Sequence, residues 1–108
     1  MIDRIAYITD FKRLIDELKL DYKLNLRICI REEFKGDLVT IQVVLSIQKN
    51  ESVMMECVLQ KKNFVRHFVH DPAFPEHQEY LDMIKRAYDK AKETFGYDII
   101  EGGWHCPE

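Results

Sequence analysis

Between Tyr22 and Lys62 the chain alternates apolar and polar residues in three successive runs, and this pattern limits the fold more than any other feature of the sequence. Tyr22, Leu24, Leu26, Ile28 and Ile30 take every second position of the first run. Val39, Ile41, Val43, Leu45 and Ile47 do so in the second, and Val53, Met55, Cys57 and Leu59 in the third. Side chains along a strand point alternately to opposite faces, so each run has an apolar side and a polar side. Lys35-Gly36-Asp37 and Lys49-Asn50-Glu51-Ser52 separate the runs. Glycine and asparagine accept the positive φ that tight hairpins demand. Connections this short make neighbouring strands antiparallel, with the second in the middle of a meander.

The apolar side of such a sheet needs a cover, and the flanking segments supply two helices. Ile8, Phe11, Leu14, Ile15 and Leu18 recur at three- and four-residue steps, with Thr9 or Asp10 as the expected N-cap. Pro75 to Phe95 carries a second seam of Leu81, Ile84, Tyr88, Ala91 and Phe95, opened by a proline that suits the first turn and followed by Gly96. Ile2, Ile5 and Ala6 either extend the first helix backwards or form a separate short piece. Asn63 to Phe74 either continues the third strand past a bulge or makes a short helical turn, and Asp71-Pro72 and Phe74-Pro75 break the chain there. Asp98 to Glu101 has the pattern of a short extra C-terminal strand. The predicted fold is a single α+β domain over residues 1–108, ordered α-β-β-β-α. It is a three-stranded antiparallel meander with both helices on one face.

A chain of 108 residues can bury a core without staples. Its three cysteines, Cys29, Cys57 and Cys106, are an odd count and do not read as a disulfide framework. The expectation is reduced thiols packed as small apolar groups. No apolar run is long enough to span a bilayer. Asp3, Arg4 and Asp10 interrupt any hydrophobic signal core, so the expected setting is the cytoplasm.

With helices on the apolar side, the other side carries Lys23, Asn25, Arg27, Cys29, Arg31 and Glu33, then Thr40, Gln42, Val44, Ser46 and Gln48, then Met54, Glu56, Val58, Gln60 and Lys62. Lys23, Arg27, Arg31 and Lys62 make that face locally basic on a protein of net charge -3. Matched registers bring Cys29, Val44, Met54 and Val58 together. A small apolar spot ringed by polar groups is what a contact surface looks like. The candidate partner-binding residues are therefore Lys23, Arg27, Arg31, Val44, Met54, Val58 and Lys62.

No catalytic constellation competes with this reading. His67, His70, His77, His105 and Cys106 are zinc-ligand types, but their spacing matches no zinc motif, and no metal or other cofactor is expected. Cys57 falls on the core side, where thiols are inert. Cys106 follows the Gly102-Gly103 pair, which disfavours a fixed catalytic geometry. Nucleases of the restriction-endonuclease type share the element order but need carboxylates to hold a cation. The second strand here has none, and Gln60 and Lys62 stand where an acid-x-lysine pair is wanted. Double-stranded RNA-binding domains open their second helix with lysines, whereas this one opens Pro75-Glu76-His77-Gln78-Glu79.

The expected function is that of a small non-enzymatic protein that binds a macromolecule through this surface. Inhibitors and accessory factors, including those of phages and mobile elements, are often small acidic domains of this kind. A protein partner is expected, with no membrane involvement; a homodimer through the open sheet face is one form of it. The alternative is a nucleic-acid-binding module using the basic open face.

Overall fold

The computed structural model describes residues 3–20, 25–50 and 52–96. Their elements run β1 (Asp3–Ile5), α1 (Ile8–Leu18), β2 (Leu26–Lys35), β3 (Leu38–Lys49), β4 (Ser52–Val65), α2 (Arg66–Val69) and α3 (Pro75–Phe95). The sheet has the order β1-β4-β3-β2. The three alternating runs form the expected antiparallel meander, with Ile28 opposite Leu45 and Leu45 opposite Cys57. Gly36 and Asn50 take the positive φ expected of them, +62° and +54°. Tyr22, Lys23 and Leu24, and the strand expected at Asp98 to Glu101, lie outside the described residues.

The apolar side is closed as its pattern demands. Phe11 and Ile15 of α1, and Met83, Ile84, Ala87, Tyr88, Ala91 and Phe95 of α3, pack with Leu26, Ile28, Val39, Ile41, Val43, Leu45 and Ile47 in one buried cluster. Phe11 meets Phe95 edge to face at 6.1 Å, which ties the two helices together over the sheet.

Of four local features, the first decides between alternatives the sequence left open and the other three differ from its expectation. Ile5 belongs to a short strand that pairs in parallel with β4, Asp3 opposite Met55 and Ile5 opposite Cys57, so the sheet has four strands. Helix α1 begins at Ile8: its N-cap is Tyr7, with no side-chain cap, two residues before Thr9 and three before Asp10. Ile8 is in the core, as the seam implied, and Asp10 sits inside the first turn, where its charge favours the helix dipole. On α3, Leu81 is 43% exposed while Met83 and Ala87 are buried, so the true seam lies to one side of the one expected.

The fourth difference is in β4. Val44 pairs with Val58 but Val43 pairs with Gln60, leaving Leu59 as an extra, unpaired residue. The bulge resets the alternation. Beyond it, Gln60, Lys62 and Phe64 share the helix face with Val43, Ile41 and Val39, while Lys61 and Asn63 share the outer face with Gln42 and Thr40. Leu59 itself packs against the core. Phe64 is buried there, edge to face with Tyr80 of α3 at 6.4 Å, and Val69 of α2 is buried beside it. The segment after Lys62 is therefore a continued strand and a short helix, and Phe64 and Val69 turn toward the helices and away from the outer face.

Candidate interaction surface

Strand register builds the outer face from rungs of three. Arg27, Ser46 and Glu56 form one rung; Cys29, Val44 and Val58 form the next; Arg31, Gln42 and Lys61 form a third. Arg27, Arg31, Val44 and Val58 are thus brought together as the pattern implied. Met54 is itself an unpaired bulge residue, between Met55 opposite Ile47 and Val53 opposite Gln48, and stands 37% exposed. Lys62 is placed on the other side of the sheet by the Leu59 bulge. Its ammonium lies 2.6 Å from the Glu79 carboxylate of α3 and 5.3 Å from the centre of the Phe64 ring. Lys23 lies outside the described residues.

The centre of the face is held by an ion cluster. Glu56 is only 3% exposed. Both of its oxygens accept from Arg31, at 3.1 and 2.7 Å, and Arg4 Nε lies 3.3 Å from one of them. A carboxylate in that position would be costly without such partners. The fork of Arg31, more than its charge alone, holds Glu56 below the usual carboxylate range; burial opposes this, and Arg4 adds to the lowering. Arg31 and Glu56 belong to rungs on either side of Val44, so their side chains meet across β3. Val44 is fully buried, and so is Ser46 beside it. The expected contact residue Val44 is therefore a floor to the ion pair. Val58, at 36%, is the apolar residue of that rung that reaches solvent.

The arrangement has two consequences. Arg31 is committed to Glu56, which removes most of the basic character expected of this face. Arg4, from the strand the sequence left undecided, joins the cluster because β1 places it opposite Glu56. The one sequence signal for this cluster is an acid, Glu56, in a strand otherwise rich in apolar residues, with arginines two strands away.

The cysteines divide between the faces. Cys57 is free and buried under the helices, and burial pushes its thiol up. Cys29, on the outer face and 1% exposed, is disulfide-bonded, contrary to the expectation of reduced thiols.

The three described histidines make ring and polar contacts, and His70 and His77 both face Tyr80. His77 Nδ1 lies 2.9 Å from the Val69 carbonyl oxygen, which can only accept, so this nitrogen carries the hydrogen. His70 Nε2 lies 3.1 Å from Glu32 and its ring stands edge-on to Tyr80. His67 leans on Phe68. Burial, reinforced by the charge of Glu32, pushes the Tyr80 hydroxyl up. Among the described residues, no three histidine, cysteine or acidic side chains are grouped to hold a metal ion. His105 and Cys106 lie outside them. No described helix is long and apolar enough to cross a membrane. No protein-family model matches this chain, and no curated protein or solved structure is significantly similar to it.

Proposed function

We propose that this chain is a small binding protein without catalytic activity, which uses the outer face of its sheet to engage a protein partner, in the manner of an inhibitor or accessory factor. The observation that carries the reading is the make-up of that face. Val58 and Met54 stand exposed on β4 on either side of Glu56, whose charge is fixed by Arg31 and Arg4. Exposed apolar side chains beside a rigid, already neutralised ion cluster suit a protein surface better than a phosphate backbone, which takes unpaired cations. The pairing of Lys62 with Glu79 on the opposite side points the same way.

The test is a paired capture experiment. Arg27→Glu combined with Val58→Asp alters the face at two residues that no ion pair described here uses. Wild-type and variant proteins of equal thermal midpoint are compared as bait in lysate, with mass spectrometry. The reading expects a discrete protein captured by the wild type and lost, at least tenfold, by the variant. Capture of the same protein by both would sink it. Binding to free DNA or RNA that falls steeply with salt would transfer the face to nucleic acid. A concentration-dependent dimer in light scattering, broken by the variant, would make a second copy the partner.

A further inference from the structure

Strand β2 closes the sheet on the side away from β1. It runs ten residues, Leu26–Lys35, with no break in its register against β3. Its loop to β3 is the pair Gly36 and Asp37, so Lys35 and Leu38 are the hydrogen-bonded pair that closes the hairpin. Such pairs recur at every second position, which turns the backbone groups of Arg27, Cys29, Arg31 and Glu33 toward β3. Those of Leu26, Ile28, Ile30, Glu32 and Phe34 point the other way, and among the described residues no strand pairs with them. Sheets defend such an edge by brevity, bulges, proline or an inward charge. The strand at the opposite edge, β1, has three residues, and β4 carries two bulges. On β2 the one such device is Glu32, on the helix side, and His70 Nε2 holds it at 3.1 Å. The contacts of α1 and α3 with the sheet fall chiefly on β1, β3 and β4.

We infer that a second copy of this chain pairs with the β2 edge, the two β2 strands running antiparallel about a two-fold axis at Ile30. The two four-stranded sheets then join into one, with both sets of helices on the same side.

Charge selects both the partner and the register. With Ile30 opposite Ile30 of the second copy, the strands overlap from Leu26 to Phe34, nearly their whole length. On the outer face Arg27 then stands opposite Glu33 of the second copy, and the symmetry repeats the pair. Neither residue makes an ion pair among the described residues. Opposite charges directly across a strand pair stabilise it, and like charges destabilise it. Moving the axis to Cys29 sets Arg27 against Arg31. Moving it to Arg31 sets Arg31 against itself and Arg27 against Lys35. Moving it to Glu32 sets Glu32 against itself. The register with the longest overlap is thus also the one without like charges opposed. On the helix side, Phe34, 51% exposed, falls opposite Leu26 of the second copy. The joint uses the edge and leaves Val58 and Met54 on the outer face, so it stands without the partner-binding reading.

The test is sedimentation equilibrium of the full chain from about 1 μM to about 1 mM. The mass should rise from the 12.9 kDa of one chain toward twice that value. Arg27→Glu opposes two glutamates at each end of the joint, and Glu33→Arg opposes two arginines. Each variant, with its fold checked by circular dichroism, should associate about tenfold more weakly or worse. Mixed in equal amounts, the two variants regain both opposite-charge pairs and should return to the wild-type mass. Val58→Asp, which alters the face alone, should leave the association unchanged. A monomer throughout the range would overturn the inference. So would a dimer indifferent to both charge reversals, a mixture no heavier than its components, or a dimer lost in Val58→Asp, which would lie on the sheet face instead.

Discussion

Both faces of this sheet hold buried residues, but different physics buries them. The helix face is sealed by hydrocarbon: Ile41, Leu45 and Phe11 are fully buried among other apolar side chains. The outer face is closed at its centre by charge, a carboxylate held between two guanidiniums over a valine floor. Hydrocarbon burial is non-directional, and its cost when broken follows the volume removed. An ion cluster depends on geometry, and its cost when broken is that of the stranded partner. The contrast shows why a face that reads as polar in sequence need not be a solvated one.

The largest way to break the comparison is on the helix side. Leu45→Ala should lower unfolding free energy by about 4 kcal/mol in urea titrations, because the site is ringed by packed neighbours. Val58→Ala, on the outer side of the same sheet, should stay within about 1 kcal/mol. Next is Arg31→Ala, which leaves Glu56 buried against Arg4 alone and should cost about 3 kcal/mol. Arg31 is for this reason a poor probe of binding, whereas a change at Arg27 leaves the cluster intact.

A smaller effect is read from pH. The Glu56 carboxyl is held lower in the folded protein than in the unfolded chain. Its stabilisation is therefore complete above about pH 5 and is lost as pH falls through the folded value. Glu56→Gln should flatten this acid limb of the stability profile, measured by thermal melts between pH 7 and pH 3, roughly the range over which carboxyls titrate. An acid limb as steep as the wild type's would show that Glu56 does not carry it. The smallest effect is at Lys62→Ala. Its pair with Glu79 is half exposed, so the loss should be about 0.5 kcal/mol and should shrink further in high salt.

The helix face was legible in the sequence because it repeats. Every second position from Leu26 to Ile30 and from Val39 to Ile47 is apolar, and the turns at Gly36 and Asn50 announce themselves by residue type. The outer face was legible only in part, because its occupants depend on single irregularities that no period encodes. One extra residue at Leu59 sent Lys62 to the helix side, where Glu79 waited one helix away. Another, at Met54, freed that side chain from the pleat. Arg4 entered the cluster through a three-residue strand, too short to show an alternation of its own. Val44 looked like a surface residue because the local pattern does not report what crosses above it.

The parallel seam between β1 and β4 has a consequence for the order in which the molecule assembles. The hairpins β2–β3 and β3–β4 close over two-residue loops, but bringing Ile5 beside Cys57 closes a loop of about fifty residues. That entropy is repaid only after the β4 edge exists to receive it, so the amino-terminal strand docks late, onto a meander already formed. Arg4 arrives with it. Until then, of the two arginines that hold Glu56, Arg31 is in place alone, and the ion cluster completes only at the last step of folding.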